Sequence, residues 1–385
     1  MSDPRSPYLF PVDTERFWAD DRASQGKPFS TDKPQVPLGI HLPATCIWDE
    51  LGLPMPEWAE TEVTNPYLVE KSLRQRYNEK ALTVIGKKIF PEDDPPPADS
   101  HFPAVKGITD IFEAPVSYAG GTGWVMPACE TPQELEKLLD RVERRDLREV
   151  LLPPNWEAEC RRIEEQYGKK PRLGGHVRGP VTAAMSIYGV ESLIYLLLDA
   201  PDLAARFRDL LADRIIAMTH LFYEVSGTPE RRGFGFADDN SALLNYDMYA
   251  FFGQPILQRV FEAFAPGPND SRYQHSDSAM GHLMPLLNEV GLNGANFGPE
   301  IPVEEIRAAL PRCVIHGQLR PWTFARGTDE EVAAEVRRDI RGAGAGGGLI
   351  IATAGSINSG SRLSGLRAIM SVIQHEGRYD GAELG

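Results

Sequence analysis

From about residue 170 onward, short apolar runs alternate with longer stretches whose apolar residues recur every three or four positions. Each short run leads into polar, chemically capable residues. Leu173 leads to His176 and Arg178, Phe234-Gly-Phe236 to Asp238-Asp239-Asn240, and Arg272-Tyr273 to His275-Ser276-Asp277-Ser278. Leu292 leads to Asn293 and Asn296, Val314-Ile315 to His316-Gly317-Gln318, and Leu349-Ile350-Ile351 to Thr353-Ala-Gly-Ser356. Short apolar runs between amphipathic helices read as strands buried on both faces, in a mostly parallel sheet. The repetition predicts an α/β protein, a (β/α)8 TIM barrel, with an enzyme site where the strands end.

The helices have readable boundaries. Thr131-Pro132-Gln-Glu134 puts a hydroxyl at the N-cap, proline at the first helical position and glutamate at the third, predicting a helix to about Arg145. Thr328-Asp-Glu-Glu331 repeats the capping box, with Val332, Val336 and Ile340 on one face, and the glycine run 342–348 stops that helix before a buried strand. Helical spacing is also predicted over Pro66–Ile85, Val190–Asp199, Ala200–Val225, Met248–Phe264 and from Pro302. Residues 1–100 are rich in proline, aromatics and charge, with poor periodicity and a proline-rich loop at 91–97. They predict an N-terminal extension packed on a barrel formed by residues 101–385.

Composition narrows the function. The chain has 385 residues, 42% hydrophobic and 25% charged, with a formal net charge of −15. Without a compensating basic stripe, that charge argues against nucleic acid or an anionic membrane as partner. Cys46, Cys129, Cys160 and Cys313 show no close pairing, as expected of reduced thiols. The opening Met-Ser-Asp-Pro-Arg-Ser-Pro has no apolar signal core, and no run approaches a membrane span, so a cytoplasmic protein is expected. The expected partner is a small-molecule substrate, and a homodimer is allowed.

His275-Ser276-Asp277 is the sharpest constellation. Alternate strand residues face one side, so the imidazole and carboxylate can bind a divalent metal such as zinc, or work as an acid–base pair. The plainer alternative is a strand-end histidine held by a capping aspartate. Asp238 and Asp239 repel each other in a closed mouth, so one carboxyl is expected to titrate high and donate a proton; an N-cap facing water is the alternative. His176 and Arg178 alternate before a turn, and Arg178 suits a carboxylate or phosphate. Asn240, Asn296, His316 and Gln318 complete the expected substrate-binding set. Gly120-Gly-Thr-Gly123 lacks the lysine and spacing of a phosphate loop. His41, Cys46, Trp48 and Asp49 form a polar and aromatic patch that either caps the mouth or packs as core.

Residues His176–Tyr379 resemble the uroporphyrinogen decarboxylase superfamily, which includes corrinoid-dependent methyltransferases. The likeness rests on Gly179-Pro180-Val-Thr182, Ala237-Asp238-Asp239-Asn240 ahead of Tyr249, and His275-x-Asp277 with Gly281 and Pro285. It continues through His316-Gly317-Gln318 with Pro321, Gly327-Thr328, and Gly348-Leu-Ile-Ile351. The resemblance implies a (β/α)8 barrel. The Arg-Gln-Ala-Gly-Arg-Tyr stretch and the late Gly-His-Gly turn of the haem-pathway decarboxylases are absent. The zinc methyltransferases of the superfamily use His-x-Cys and a distant cysteine. Here the first cysteine position is Asp277, and the second falls near Ala354 or Gly355.

The resemblance therefore implies a methyltransferase without thiol activation. It would move a methyl group between a small methoxylated or methylated substrate and a corrinoid, free or on a separate corrinoid protein. The alternative is a corrinoid-free decarboxylase or lyase acting on an aromatic or pyrrole-like carboxylate. Either way, catalysis is expected from His275, Asp277, Asp238 and Asp239, with His275 and Asp277 as candidate metal ligands.

Overall fold

A computed structural model describes residues 9–59, 65–119, 122–227 and 232–381. Gly120, Gly121 and the N-terminal heptapeptide lie outside the described residues. The chain divides into two compact units. One holds residues 96–276 and 282–293; the other holds residues up to 95, 277–281 and 294 onward.

The first unit carries β1 (Val116–Ala119), β2 (Thr122–Val125), β3 (His176–Arg178), β4 (Gly233–Ala237) and β5 (Ser271–Ser276). β3, β4 and β5 are parallel neighbours in chain order, with His176 opposite Gly235 and Ala237 opposite His275. Behind them the helix Pro201–Ser226 buries Phe207, Leu211, Ile215 and Phe222. The Phe207 ring meets Phe112 and Phe252 edge-on at 5.8 and 5.9 Å. Phe234 lies 5.5 Å from Phe264, and Phe236 the same distance from Phe261. Such aromatic contacts fix the strands' outer face against the helices.

Two expectations change here. β1 and β2 form an antiparallel pair, because a two-residue link suits a hairpin and is far too short for a parallel crossover. Six described strands are therefore parallel, three in each unit, and a closed eight-stranded barrel is not formed among the described residues. The helix expected over Met248–Phe264 is two, Tyr246–Phe251 and Gly253–Phe264. Pro255 has no N–H for the Phe251 carbonyl, and Arg208 donates to that carbonyl instead, at 3.1 Å. The capping boxes at Thr131 and Thr328 form as expected.

The second unit carries β6 (Gly294–Phe297), β7 (Val314–His316) and β8 (Leu349–Ile350), parallel in chain order. Residues 37–39 continue the pattern beyond β8. The Gly39 N–H donates to the Ile351 carbonyl and the Ile351 N–H to the Pro37 carbonyl, at 2.8 and 2.9 Å. The extension thus lends a strand-like edge, and Gly39 is needed there because a Cβ would stand 2.7 Å from the Ile350 side chain.

The helix Leu363–Glu376 is buried along nearly its whole length. A core helix presents few polar handles, yet this one uses three to hold the N-terminal chain. Arg367 donates to the carbonyls of Phe10 and Val84, and Ser371 donates to that of Pro11. Gln374 donates to the Asp13 carbonyl and accepts from the Asp13 N–H, both at 2.9 Å. No single described helix is long and apolar enough to cross a membrane; one pair that passes together, Pro180–Tyr188 with Val190–Asp199, is bent by 101°.

Arg367→Leu is expected to lower unfolding stability by about 2–3 kcal/mol, since it leaves two buried carbonyls without their charged donor. Urea unfolding checks this, and an unchanged midpoint would show that the N-terminal segment is not secured through Arg367.

Candidate functional site

The ends of β4 and β5 are tied together by backbone. Ala237 sits opposite His275, and the Asp238 N–H donates to the His275 carbonyl at 2.9 Å. On the other side, the Gly179 N–H donates to the Ala237 carbonyl at 2.7 Å. Polar residues that follow these strands are therefore placed by sheet register.

Asp238 is wholly buried. Its carboxylate accepts from the N–H groups of Thr182 at 2.7 Å and Val181 at 3.4 Å, in the first turn of the helix Pro180–Tyr188. Those amides have no partner inside their own helix, and an anion is favoured at that end of the helix dipole. The expectation of an N-cap facing water is thus overturned: the carboxylate is buried and meets the first-turn amides of a helix earlier in the chain, not those of the turn that follows it. Gly179 makes this possible: a Cβ there would lie 2.2 Å from the Asp238 Cβ. The Asn240 N–H completes the junction by donating to the Thr182 hydroxyl at 3.0 Å. Burial pushes the Asp238 carboxyl up to about 6, against the opposing pull of the Thr182 and Val181 donors, and Asp239 adds to the rise.

Asp239 and Asp277 flank His275 by short paths. Asp239 lies two residues beyond Ala237, the partner of His275, and Asp277 lies two residues beyond His275 itself. One ligand atom from each of the three lies within 4.8 Å of the others. One imidazole and two carboxylates suit a hard or borderline divalent cation such as zinc. No cysteine joins the group among the described residues. Burial instead holds the Cys46 and Cys313 thiols at about 12 and Cys129 at about 11, so they stay protonated.

Asp277 packs closely on Gly355. A Cβ at Gly355 would stand 2.1 Å from Asp277 Oδ1, and Gly355 has φ +94°, a conformation that also favours glycine. His176, across β4, is held below the usual histidine range by burial and by nearby His275. Arg178 is exposed and donates to the Ser186 hydroxyl at 3.2 Å.

The remaining candidates brace the backbone of the second unit. Asn296 donates to the carbonyls of His316 and Thr353 and accepts from the Gly355 N–H. Gln318 donates to the carbonyls of Gly298 and Ile301, both at 2.9 Å, while its own N–H donates to Asp339. Burial lowers the basicity of His316. Gly355, Ser186 and Gly298 shape these surroundings without a chemical signature of their own. Their only signal in the sequence is closeness to polar clusters.

Residues 108–375 match the family Uroporphyrinogen decarboxylase (URO-D). Among solved structures, the chain is similar to a methyltransferase from Methanosarcina mazei, with a TM-score of 0.51 and 16% identity over 89% of this chain and 94% of that one. At that identity the likeness is one of fold. No curated protein sequence matches the chain.

The Asp238 carboxyl is raised from 3.8 to about 6, so between those values the folded protein binds more protons than the unfolded chain. Its contribution is full below about pH 4 and is lost as pH rises through 6, on the order of 3 kcal/mol in all. His176 and His316 act oppositely. Both are lowered from 6.5, so they cost stability as pH falls below that value. Urea unfolding of wild type and Asp238→Asn across pH 4–8 separates the two: wild type is expected to lose about 3 kcal/mol relative to the variant as pH rises. A pH-independent difference would show that Asp238 does not titrate in this range.

Proposed function

The chain belongs to the uroporphyrinogen decarboxylase family, and on that premise we propose that it is a methyltransferase acting between a small methoxylated or methylated substrate and a corrinoid carrier. The observation that carries the reading is the Asp239, His275 and Asp277 group beyond the ends of β4 and β5. The fold shared with a methyltransferase supports it. Asp239, His275 and Asp277 would hold a divalent cation, which would supply Lewis acidity at the heteroatom that bears the methyl group. A corrinoid, free or on a partner protein, would supply the nucleophile that takes up the methyl group, and the electron pair of the carbon–heteroatom bond would stay on the heteroatom.

The chain's own residues set the surroundings of that step. His176, held neutral near pH 7, offers an uncharged acceptor beside His275. Arg178 is exposed on β3, where its guanidinium can take a substrate carboxylate. The Asn240 side chain is half-buried and offers both a donor and an acceptor. Asp238 has a carboxyl that titrates near neutrality, but it is wholly buried on the Thr182 and Val181 amides. It therefore positions the junction, and with Asp239, His275 and Asp277 holding the cation the charge left on the heteroatom would be met by the metal rather than by a proton from these side chains.

Zinc is expected to bind the isolated protein at one equivalent, with at least about tenfold lower affinity in His275→Ala and in Asp277→Asn, because a three-ligand site cannot replace a lost donor. Equilibrium dialysis measures this; equal affinity in all three proteins would place the metal elsewhere.

In a second assay, protein, reduced corrinoid and a methoxylated aromatic donor are mixed and the carrier's absorption spectrum is followed. Methylation of the carrier is expected with wild type, its loss in His275→Ala, and a fall of at least about tenfold in Asp277→Asn. Carbon dioxide release from an aromatic carboxylate without any change in the carrier would overturn the methyltransferase reading.

A further inference from the structure

A cavity of about 510 Å3 opens in the second unit, away from the residues assigned above except for His316. That volume lies within the ~300–1,000 Å3 typical of small-molecule sites. Most of its walls come from segments ahead of residue 108, outside the stretch that matches the family. Leu38, Ile40, Leu42, Ile350 and Leu366 give it an apolar lining, and Phe90 adds an aromatic ring.

The charged groups around it are not equivalent. Asp21 is buried, and its carboxylate is used by the Leu38 N–H at 2.8 Å and by Gln25. Lys88 is paired with Glu92 at 2.7 Å. Lys87 has no carboxylate within ion-pair distance among the described residues; its ammonium stands 4.3 Å from the centroid of the Trp18 ring. That ring is fixed, since the Trp18 indole N–H donates to the Ile85 carbonyl at 2.7 Å. A cation seated on an aromatic face is attracted to it without being neutralised. The cavity thus combines an apolar wall with one positioned ammonium at its edge that makes no ion pair among the described residues, the buried Asp21 carboxylate acting on it only at longer range. His41 and His316 add imidazoles that can donate or accept a hydrogen bond.

We propose that this cavity binds a small monocarboxylate with an apolar body, its carboxylate on Lys87 and its apolar part against Leu42, Ile350 and Leu366. An apolar ligand without charge would fill the space but leave the ammonium unmatched. A dianion would bring a second negative charge into a cavity already lined by the Asp21 carboxylate, which opposes it. The proposal stands apart from the methyl-transfer reading, because binding here is read without turnover.

The test is isothermal titration of the full-length protein with benzoate and, as a neutral counterpart of similar shape, benzyl alcohol. Benzoate is expected to bind saturably and at least about tenfold tighter than benzyl alcohol, the margin of one charge-assisted hydrogen bond. Lys87→Met is expected to remove that margin while leaving benzyl alcohol binding as it was. Lys88→Met, which removes the lysine already paired, is expected to preserve it. Lys87 is exposed, so its replacement leaves the fold intact, and the unfolding midpoint verifies this. Absence of saturable benzoate binding, equal affinity for the two ligands, or an unchanged preference in Lys87→Met would each overturn the proposal.

Discussion

A carboxylate taken wholly out of water must be given hydrogen bonds, and the arrangement around Asp238 follows from that requirement. Its oxygens are met by the Val181 and Thr182 amides, which are themselves without partners in the helix they begin. The two costs partly offset each other at one point, and the helix Pro180–Tyr188 is thereby fixed to the end of β4. Because Asp238 also donates its N–H to His275, the same residue registers β4 against β5. Asp239, Asn240 and His275 take their positions from this junction. The site depends less on flexible side chains finding one another than on one buried charge that has a single satisfactory place to be.

Much of this was legible in the sequence, for identifiable reasons. Helices announced by chemistry, such as those opened by Thr131 and Thr328, form with their capping boxes, because a cap is a local interaction that needs no distant partner. The strand runs at Phe234, Arg272 and Val314 were visible as apolar segments too short for helices. The antiparallel β1–β2 pair was not anticipated, because the strand pattern was read only from about residue 170 onward. The break at Phe252 was missed because apolar spacing runs on through it; Pro255 was the signal, and Arg208 supplies the compensation. For the site, residue types and order were readable, but their orientation was not. Nothing local says that Asp238 turns away to cap a preceding helix, or that Asn296 and Gln318 spend their amides on backbone carbonyls.

The N-terminal residues illustrate a different limit. Poor periodicity hid the fact that residues 37–39 run beside the last strand and that Phe10, Pro11 and Asp13 are held by one buried helix. These contacts use backbone carbonyls and amides, which every residue carries, so the side-chain pattern of the segment gives no warning of them. Arg367, Ser371 and Gln374 were the readable half: three polar residues on a helix otherwise buried among apolar neighbours need partners, and here the partners are main chain.

The contact between Asp277 and Gly355 has an evolutionary consequence. With a Cβ at position 355 falling 2.1 Å from the carboxylate, the two positions cannot drift independently. Any side chain gained at 355 demands a shorter or redirected group at 277, and any longer group at 277 demands that 355 stay bare. The pair behaves as one character with two spellings. A switch of donor chemistry at this point must therefore cross an intermediate in which one residue is wrong for the other, which holds the carboxylate in place even where neighbouring positions are free to vary.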